Sequence, residues 1–492
     1  MERKPNFYRL LGLSKDATPE EIRRAYHEAV LRLHPDVNIN PGDTELFLGI
    51  QNAFEVLSDP HLRVEYDRDL PPHEHKKPIN LEVLYSQSRL LRSDEPQLIY
   101  ALISLIPAED STTQTTLPLN ICLVLDRSTS MQGERLDNLK KTAIRLAREL
   151  KEKGSLSIVT FSDRAEVLLP SGANREIWEI ESAIHLLQSA GGTEIFQGLK
   201  AAVAEVYRRL DNSAVNHIVL VTDGRTYGDE QASLELANIA ARRGVAITCL
   251  GIGSEWNDVF LDKLATASGG SSAYVADSDE IEKNLQDIIK NLSQSLVSEV
   301  ALHGRSNPNV ELTCAFRLHP KTGELLKHDP IYLGNLPNNG NLDILLEFLV
   351  HPSHEKHERV NLFSGRINYQ YVHNLNSLDS MFINLNREHG VMPTEEKPPE
   401  AIVRAVERLT LYRMQETAYL DINAGNLEPA IERLEYLASR LVSIDELELS
   451  KTILDEVANL KKGLSISASS KKRIKYGTRA LLLSGGQNIH LP

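Results

Sequence analysis

The chain is poor in the residues that mark several protein classes. Cysteine occurs three times in 492 residues, at Cys122, Cys249 and Cys314. The three lie far apart, each inside an apolar strand-like run, and no CxxC pair is present. A disulfide framework, a zinc ribbon and a dithiol redox centre are therefore excluded, and the thiols read as reduced core residues. Long apolar runs are also lacking. Residues 98–106 are among the longest, well short of the roughly 18 needed to cross a bilayer. The first ten residues are charged and hold no apolar h-region, so the expectation is a cytoplasmic protein without a secretory signal. Basic residues are in deficit: 54 Lys+Arg stand against 68 Asp+Glu, a net charge of -14. That balance argues against a general binder of nucleic acid or of anionic membranes. Neither a GxxxxGK[ST] loop nor a GxSxG elbow occurs, so no intrinsic ATPase or hydrolase is expected.

What remains has the composition of a folded, multi-domain protein, 41% hydrophobic and 25% charged. The charge is unevenly spread. Residues 457–492 carry seven basic and no acidic residues, so the rest of the chain stands at -21.

In residues 1–70, Thr18-Pro19-Glu20-Glu21 is a helix start: Thr18 caps, Pro19 suits the first helical position, and Glu21 completes a capping box. Ile22, Ala25, Tyr26, Ala29 and Leu33 then recur at helical spacing, and Phe47, Ile50, Phe54 and Leu57 form the stripe of a second helix. The breaker-rich loop between them presents His34-Pro35-Asp36 at the tip of an antiparallel hairpin. Together with Phe7-Tyr8-Arg9-Leu10-Leu11-Gly12, Ile22-Arg23-Arg24-Ala25-Tyr26 and 53–60 (Ala-Phe-Glu-Val-Leu-Ser-Asp-Pro), this segment resembles a DnaJ-type J-domain. The resemblance implies that His34, Pro35 and Asp36 stimulate the ATPase of a DnaK-type chaperone, with Arg23 and Arg24 on the contacting helix and Asp36 pairing with a chaperone arginine. One departure is visible: residues 20–33 hold Arg23, Arg24 and Arg32 against Glu20, Glu21 and Glu28, so a helix that is usually basic is neutral here. No Gly/Phe-rich segment or cysteine repeat follows. Residues 71–79 read as a stiff linker whose His73 and His75 are solvated.

Residues 118–296 alternate apolar strands (119–125, 155–161, 217–221, 245–252, 272–275) with amphipathic helices (including 135–150, 177–187, 198–210 and 233–243). This pattern predicts a doubly wound α/β domain, with ligands at the carboxyl ends of its parallel strands. Asp126-Arg127-Ser128-Thr129-Ser130 follows the first strand, Asp223-Gly224 follows the third, and Thr193 lies in a Gly-rich loop. Two carboxylates and three hydroxyls form an all-oxygen set suited to a hard divalent cation, Mg²⁺ first, with Mn²⁺ or Ca²⁺ as alternatives. The set resembles the metal-ion-dependent adhesion site of von Willebrand factor type A (VWA) domains: Asp126, Ser128 and Ser130 match DxSxS, Thr193 the separate threonine, Asp223 the second aspartate. The resemblance implies direct metal contact by Ser128, Ser130 and Thr193, water-bridged contact by Asp126 and Asp223, and an open position for a partner's Asp or Glu. His185 and Asp163 do not make a nucleophilic triad with these serines, because His185 falls inside a helical stretch.

Strand-like segments on both sides, 80–117 and 297–378, suggest one β-sandwich into which the α/β domain is inserted. Its His351, His354 and His357, with Glu355 and Glu358, read as a polar hairpin loop rather than a metal cluster. Residues 379–400 read as a linker, and 401–463 as an all-α hairpin or bundle that packs on the sandwich and resembles a single tetratricopeptide unit. Residues 464–492 read as a basic tail, with Lys471, Lys472, Arg473, Lys475 and Arg479 docked on the acidic body or solvated.

The reading is a J-domain co-chaperone, not itself an enzyme, that recruits a protein client through a Mg²⁺-dependent VWA site and delivers it to a DnaK-type chaperone. The alternative is an assembly or maturation factor working with a MoxR-type AAA+ ATPase. An extracellular adhesin conflicts with the J-domain-like start.

Overall fold

The computed structural model describes residues 7–11, 13, 17–33, 41–69, 79–108, 118–150, 154–172, 176–211, 214–226, 228–276, 280–352, 359–371, 378–390, 397–443 and 445–481. His34, Pro35, Asp36, His73, His75, His354, His357, Glu355 and Glu358 lie outside them.

Four helices open the chain: α1 (Phe7–Leu10), α2 (Pro19–Leu33), α3 (Pro41–Ser58) and α4 (Pro60–Asp69). Helix α2 starts at Pro19, and the Ile22 N–H donates to the Thr18 carbonyl at 3.0 Å, as the capping pattern predicts. Ile22, Ala53 and Leu57 share one buried cluster, and the Tyr26 and Phe54 rings stack at 4.0 Å. The start of α2 thus packs on the end of α3, which makes the pair antiparallel.

Two five-stranded sheets follow, in the orders β1-β3-β14-β11-β12 and β13-β10-β15-β16-β2. The strands are β1 (Ile79–Tyr85), β2 (Arg89–Leu91), β3 (Gln97–Pro107), β10 (Ser295–Ser306), β11 (Val310–His319), β12 (Gly323–Glu324), β13 (Ile331–Pro337), β14 (Leu342–Val350), β15 (Arg359–Tyr371) and β16 (Leu378–Gly390). Ile103, Ile344 and Phe348 of the first sheet meet Leu302, Ile367 and Leu385 of the second in one buried cluster. Apolar side chains from two facing sheets form a sandwich core.

The expected linker over 379–400 is corrected for its first part, 379–390. Residues 378–390 form β16, paired antiparallel along β15. Ile383 and Leu385 point into the core at period two, while outward Asn384, Asn386 and Glu388 give the segment its linker-like composition. Phe382 also has a structural task, because it packs against the buried cluster of the N-terminal helices.

Between β3 and β10 sits the inserted α/β domain. Its sheet runs β6-β5-β4-β7-β8-β9: β4 (Leu119–Asp126), β5 (Gly154–Phe161), β6 (Ala165–Leu169), β7 (Val215–Thr222), β8 (Ala246–Ile252) and β9 (Ser272–Val275). Only β6, on the edge, pairs antiparallel among the described strands. Leu119, Ile121, Leu123 and Leu125 face a layer formed by α5 (Glu134–Leu150), α6 (Ile177–His185) and α10 (Ile281–Ser293). Cys122 and Val124 face the opposite layer, α7 (Ile195–Arg208), α8 (Glu230–Ala241) and α9 (Asp258–Ala267). Burial on both faces explains why the central strands read as continuous apolar runs. All three cysteines are free and buried. The strand order reverses between β4 and β7, placing the loops after both strands at one crevice.

Helices α11 (Glu400–Ala424), α12 (Leu427–Ser443), α13 (Leu447–Lys461) and α14 (Ala468–Leu481) end the described chain. Ile402, Leu409 and Tyr412 of α11 cover Phe316 and Leu345 on the outer face of the first sheet, which bears out packing on the sandwich. The basic tail expected over 464–492 is corrected for its first part, since residues 468–481 are helical. Ser467 caps this helix, its hydroxyl accepting the Ser470 N–H at 3.0 Å. Arg317 joins inserted domain and sandwich. Its guanidinium, 5% exposed, donates to the carbonyls of Gly269 (3.1 Å), Gly270 (2.6 Å), Leu333 (2.9 Å) and Lys321 (2.8 Å).

Candidate metal centre

The residues singled out at the strand ends come together. Asp126 and Asp223, the one ending β4 and the other following β7, are both fully buried. Asp126 Oδ1 accepts the Ser128 N–H at 2.8 Å, and Oδ2 accepts the Thr222 hydroxyl at 2.5 Å. The Ser128 and Ser130 hydroxyls lie 3.0 Å apart, and Ser130 donates to Asp223 Oδ1 at 2.7 Å. Thr193 borders the same crevice: a Cβ on Gly224 would stand 2.7 Å from the Thr193 hydroxyl, so a glycine is what lets Thr193 approach.

Burial pushes the Asp126 carboxyl up to about 6; hydrogen bonds from Thr222 and Ser128 pull it back, and the neighbouring Asp223 charge adds to the rise. Two buried carboxylates side by side favour a cation beside them. Ser130 is exposed and Thr193 partly so, which leaves the hydroxyl side of the crevice open. Among the described residues no three His, Cys, Asp or Glu side chains are grouped to hold a metal. A cation here therefore depends on hydroxyl oxygens as well as the two carboxylates, a hard donor set that fits a divalent ion such as Mg²⁺.

The loops that carry these groups are tied to one another. The Thr129 N–H donates to the Gly191 carbonyl at 3.1 Å and the Ala190 N–H to the Arg127 carbonyl at 2.9 Å. Asp163, which the sequence offers only as a failed triad member, accepts the Gly192 N–H at 2.6 Å and so fixes the Thr193 loop. Thr226 and Asp229 hydrogen-bond each other and cap the start of α7, accepting the N–H groups of Ile195 (3.2 Å) and Phe196 (2.8 Å). His185 is exposed on α6 and is not brought to the serines by any hydrogen bond.

Sequence reasoning missed Arg135. Its Nη1 lies 2.5 Å from Asp223 Oδ2, making an ion pair with one of the two carboxylates. The signal was available, as an arginine at the second position of the helix after DxSxS, but nothing in the sequence shows which acid it faces.

Comparison with known proteins agrees with this layout. The family model for the DnaJ domain matches residues 6–67, and that for the von Willebrand factor type A domain matches residues 120–291. The chain joins a DnaJ domain to a VWA domain. A third model, the Sll0103-like C-terminal alpha-helical domain, matches residues 400–484, so α14 belongs with α11–α13 rather than to a separate tail. The protein sll0103 of Synechocystis sp. is 25% identical over 381 residues, covering 74% of this chain and 89% of its own length. Chaperone protein DnaJ of Methanosarcina thermophila is 51% identical over 63 residues, which are 13% of this chain and 16% of that protein. The solved structure of a von Willebrand factor type A protein from Catenulispora acidiphila superposes with a TM-score of 0.65 at 14% identity. It covers 83% of this chain and 98% of that one, which shows a shared fold for the VWA domain and its surroundings. No helix among the described residues is long and apolar enough to cross a membrane.

Proposed function

We propose that the chain is a co-chaperone whose DnaJ domain stimulates a DnaK-type ATPase and whose VWA domain selects the protein delivered to it. The observation that carries this reading is the assembly of Asp126, Ser128, Ser130 and Asp223 into one hydrogen-bonded crevice in the same chain as a DnaJ domain 51% identical to a chaperone relative. Ser128, Ser130 and Thr193 would hold a Mg²⁺ directly, with Asp126 and Asp223 behind them. Such an ion supplies a Lewis-acidic position for one carboxylate of the bound protein. The protein's own groups do the rest. Asp126 fixes the Ser128 backbone, Thr222 and Ser130 orient the two carboxylates, and Asp163 holds the Thr193 loop.

On the chaperone side, Arg23 and Arg24 are exposed on α2, beside exposed Glu20. With that helix neutral, electrostatic steering toward an acidic chaperone surface is weak and is lost further as salt rises. His34, Pro35 and Asp36 form the contact that triggers hydrolysis. The chain acts in the cytoplasm and hydrolyses nothing itself.

The test separates the two activities. His34→Gln abolishes stimulated ATP hydrolysis by a DnaK-type chaperone and leaves partner capture intact. Asp126→Ala and Ser128→Ala abolish EDTA-sensitive partner capture and leave stimulation intact. Capture that survives EDTA and both substitutions would overturn metal-gated selection. An AAA+ ATPase as the dominant captured partner would replace co-chaperone action with assembly.

A further inference from the structure

At the opposite end of β7 from Asp223, about six residues or 20 Å away, a cavity of about 470 Å³ lies between the VWA domain and the sandwich. Its walls come from the starts of β7 and β8, the end of α8, and strands β10, β13 and β15. That volume suits a small organic molecule.

One residue is held in this cavity at a cost. Glu299 has φ +56°, one of two non-glycine residues with positive φ among those described. Its strand β10 breaks register there against both neighbours, between Val297 and Val300 facing β13 and between Ser298 and Ala301 facing β15. The bulge turns Glu299 out of both ladders, and Asn335 Oδ1 accepts its N–H at 3.2 Å. Bulges re-aim side chains in this way, and left-handed backbone at a residue with a Cβ persists where surrounding structure demands it. The Glu299 carboxylate lies over Gly244, where any side chain would collide with it. Among the described residues that carboxylate makes no hydrogen bond or ion pair, and burial pushes its protonation equilibrium up.

A second polar group, on a residue bordering the same cavity, is unsatisfied but buried. His217, 3% exposed, bonds the Thr248 hydroxyl through Nε2 at 2.8 Å, while its Nδ1 has no partner. Burial depresses its proton affinity to about 4, so the ring is neutral, and Nδ1 is a free acceptor when Nε2–H donates to Thr248. Asp329 adds a further carboxylate, 3.6 Å from His303. Arg242 reaches the cavity from the exposed end of α8 but forms no ion pair with Glu299. Among the described residues no trio of carboxylates and imidazoles is grouped to chelate a metal. Val215, Ala241, Val300 and Pro330 line the remainder with apolar surface.

We infer that this cavity binds a small alkylammonium ion, with the Glu299 carboxylate accepting its N–H groups and the apolar wall taking its chain. The ligand is a free amine rather than a side chain of another protein, because the cavity is set into the joint between two domains. It is independent of the metal crevice and of the function proposed from it.

The test titrates the full-length protein with cadaverine (1,5-diaminopentane), using 1,5-pentanediol and pentanoate as neutral and anionic counterparts, and reads binding by calorimetry and melting temperature. Saturable binding of cadaverine is expected, with none of the diol or the carboxylate. Glu299→Gln, which keeps the shape and removes a desolvated charge, should weaken cadaverine by about tenfold or more, while Asp126→Ala should leave it unchanged. Equal binding of cadaverine and pentanediol by the wild-type protein would overturn the inference even if the Gln variant failed to fold. So would undiminished affinity in Glu299→Gln, or no binding at millimolar cadaverine.

Discussion

Arg479 and Asp262, 217 residues apart in the chain, form a bidentate ion pair, with Nη1 3.0 Å from Oδ1 and Nη2 2.7 Å from Oδ2. Lys475 Nζ adds contacts of 2.8 Å to Asp262 and 2.6 Å to Asp258, and the Tyr476 hydroxyl donates to Asp262 Oδ1 at 2.9 Å. Asp262 is thus the anchor that fastens the basic α14 onto the VWA domain. Asp262→Asn would leave the buried Arg479 without its counter-charge and Lys475 with Asp258 alone, a change that costs about 3–5 kcal/mol. The expected outcome is release of α14, seen as new tryptic cleavage at Lys471, Arg473 and Lys475 before the VWA core unfolds. Unchanged protease resistance would refute this role for Asp262.

The same ion pair gives α14 a pH dependence. Burial alone would raise the Asp262 carboxyl, but the adjacent Arg479 and Lys475 charges outweigh it and hold the group well below the usual carboxylate range. A folded-state value below the unfolded one means that the stabilisation is complete above the ordinary carboxyl pKa of about 4 and fades as pH falls below it. Trp256 reports the event, being 1% exposed and covered by Lys472, whose Nζ lies 4.3 Å from its ring centre. In a Trp178→Phe background, which leaves Trp256 as the single tryptophan, emission should shift to the red below pH 4 at an earlier point than far-UV circular dichroism changes. In Asp262→Asn that early shift should be absent, because α14 is already free at neutral pH.

How much of this was legible beforehand varies with the reach of each interaction. The continuous apolar runs of β4 and β7 betray burial on both faces, and polar residues directly after them mark the crevice, so Asp126, Ser128, Ser130 and Asp223 could be placed from sequence alone. Strand β16 could not, because its inward Ile383 and Leu385 alternate with Asn384 and Asn386, which resemble a loop. Helix α14 hid for a related reason: it is held by Lys472, Lys475 and Arg479 more than by apolar residues, with Ile474 its fully buried hydrophobe. A hydrophobic-period reading is blind to a helix that docks by charge. The bulge at Glu299 leaves no mark in Ser298-Glu299-Val300, since it arises from register against β13 and β15.

Gly191 gives a direct test of the loop that carries Thr193. Its φ is +76°, and an added Cβ would lie 2.5 Å from Asp163 Oδ2, the carboxylate whose other oxygen holds Gly192. Gly191→Ala should therefore cost about 1–2 kcal/mol in backbone strain and also push Asp163 off the loop. Groups that orient ligands without touching the metal typically alter metal affinity by about 10–100-fold, and a loss of that size is expected for Mg²⁺ by calorimetry. Asp163→Asn should weaken binding less, because its amide oxygen can still accept the Gly192 N–H. Full affinity in Gly191→Ala would show that Thr193 does not participate.

Arg135 places a fixed positive charge beside the site proposed for a divalent cation. Its Nη1 holds Asp223 Oδ2 at 2.5 Å, and its Nη2 would lie 3.0 Å from a Cβ on Gly253, so the guanidinium is lodged between the loops after β7 and β8. Half of the charge that a metal needs from Asp223 is already engaged. A partly exposed cation near a dication raises the free energy of metal binding by on the order of 1 kcal/mol at a water-like dielectric, about fivefold in affinity. Arg135→Gln should thus tighten Mg²⁺ by about that factor, and the gain should shrink in high salt as the repulsion is screened. Arg135→Lys, which keeps the charge, should bind Mg²⁺ as the wild type does. If the Gln variant bound more weakly, the guanidinium would be orienting Asp223 rather than competing for it, and the lysine variant would weaken with it because an ammonium cannot span the same two loops.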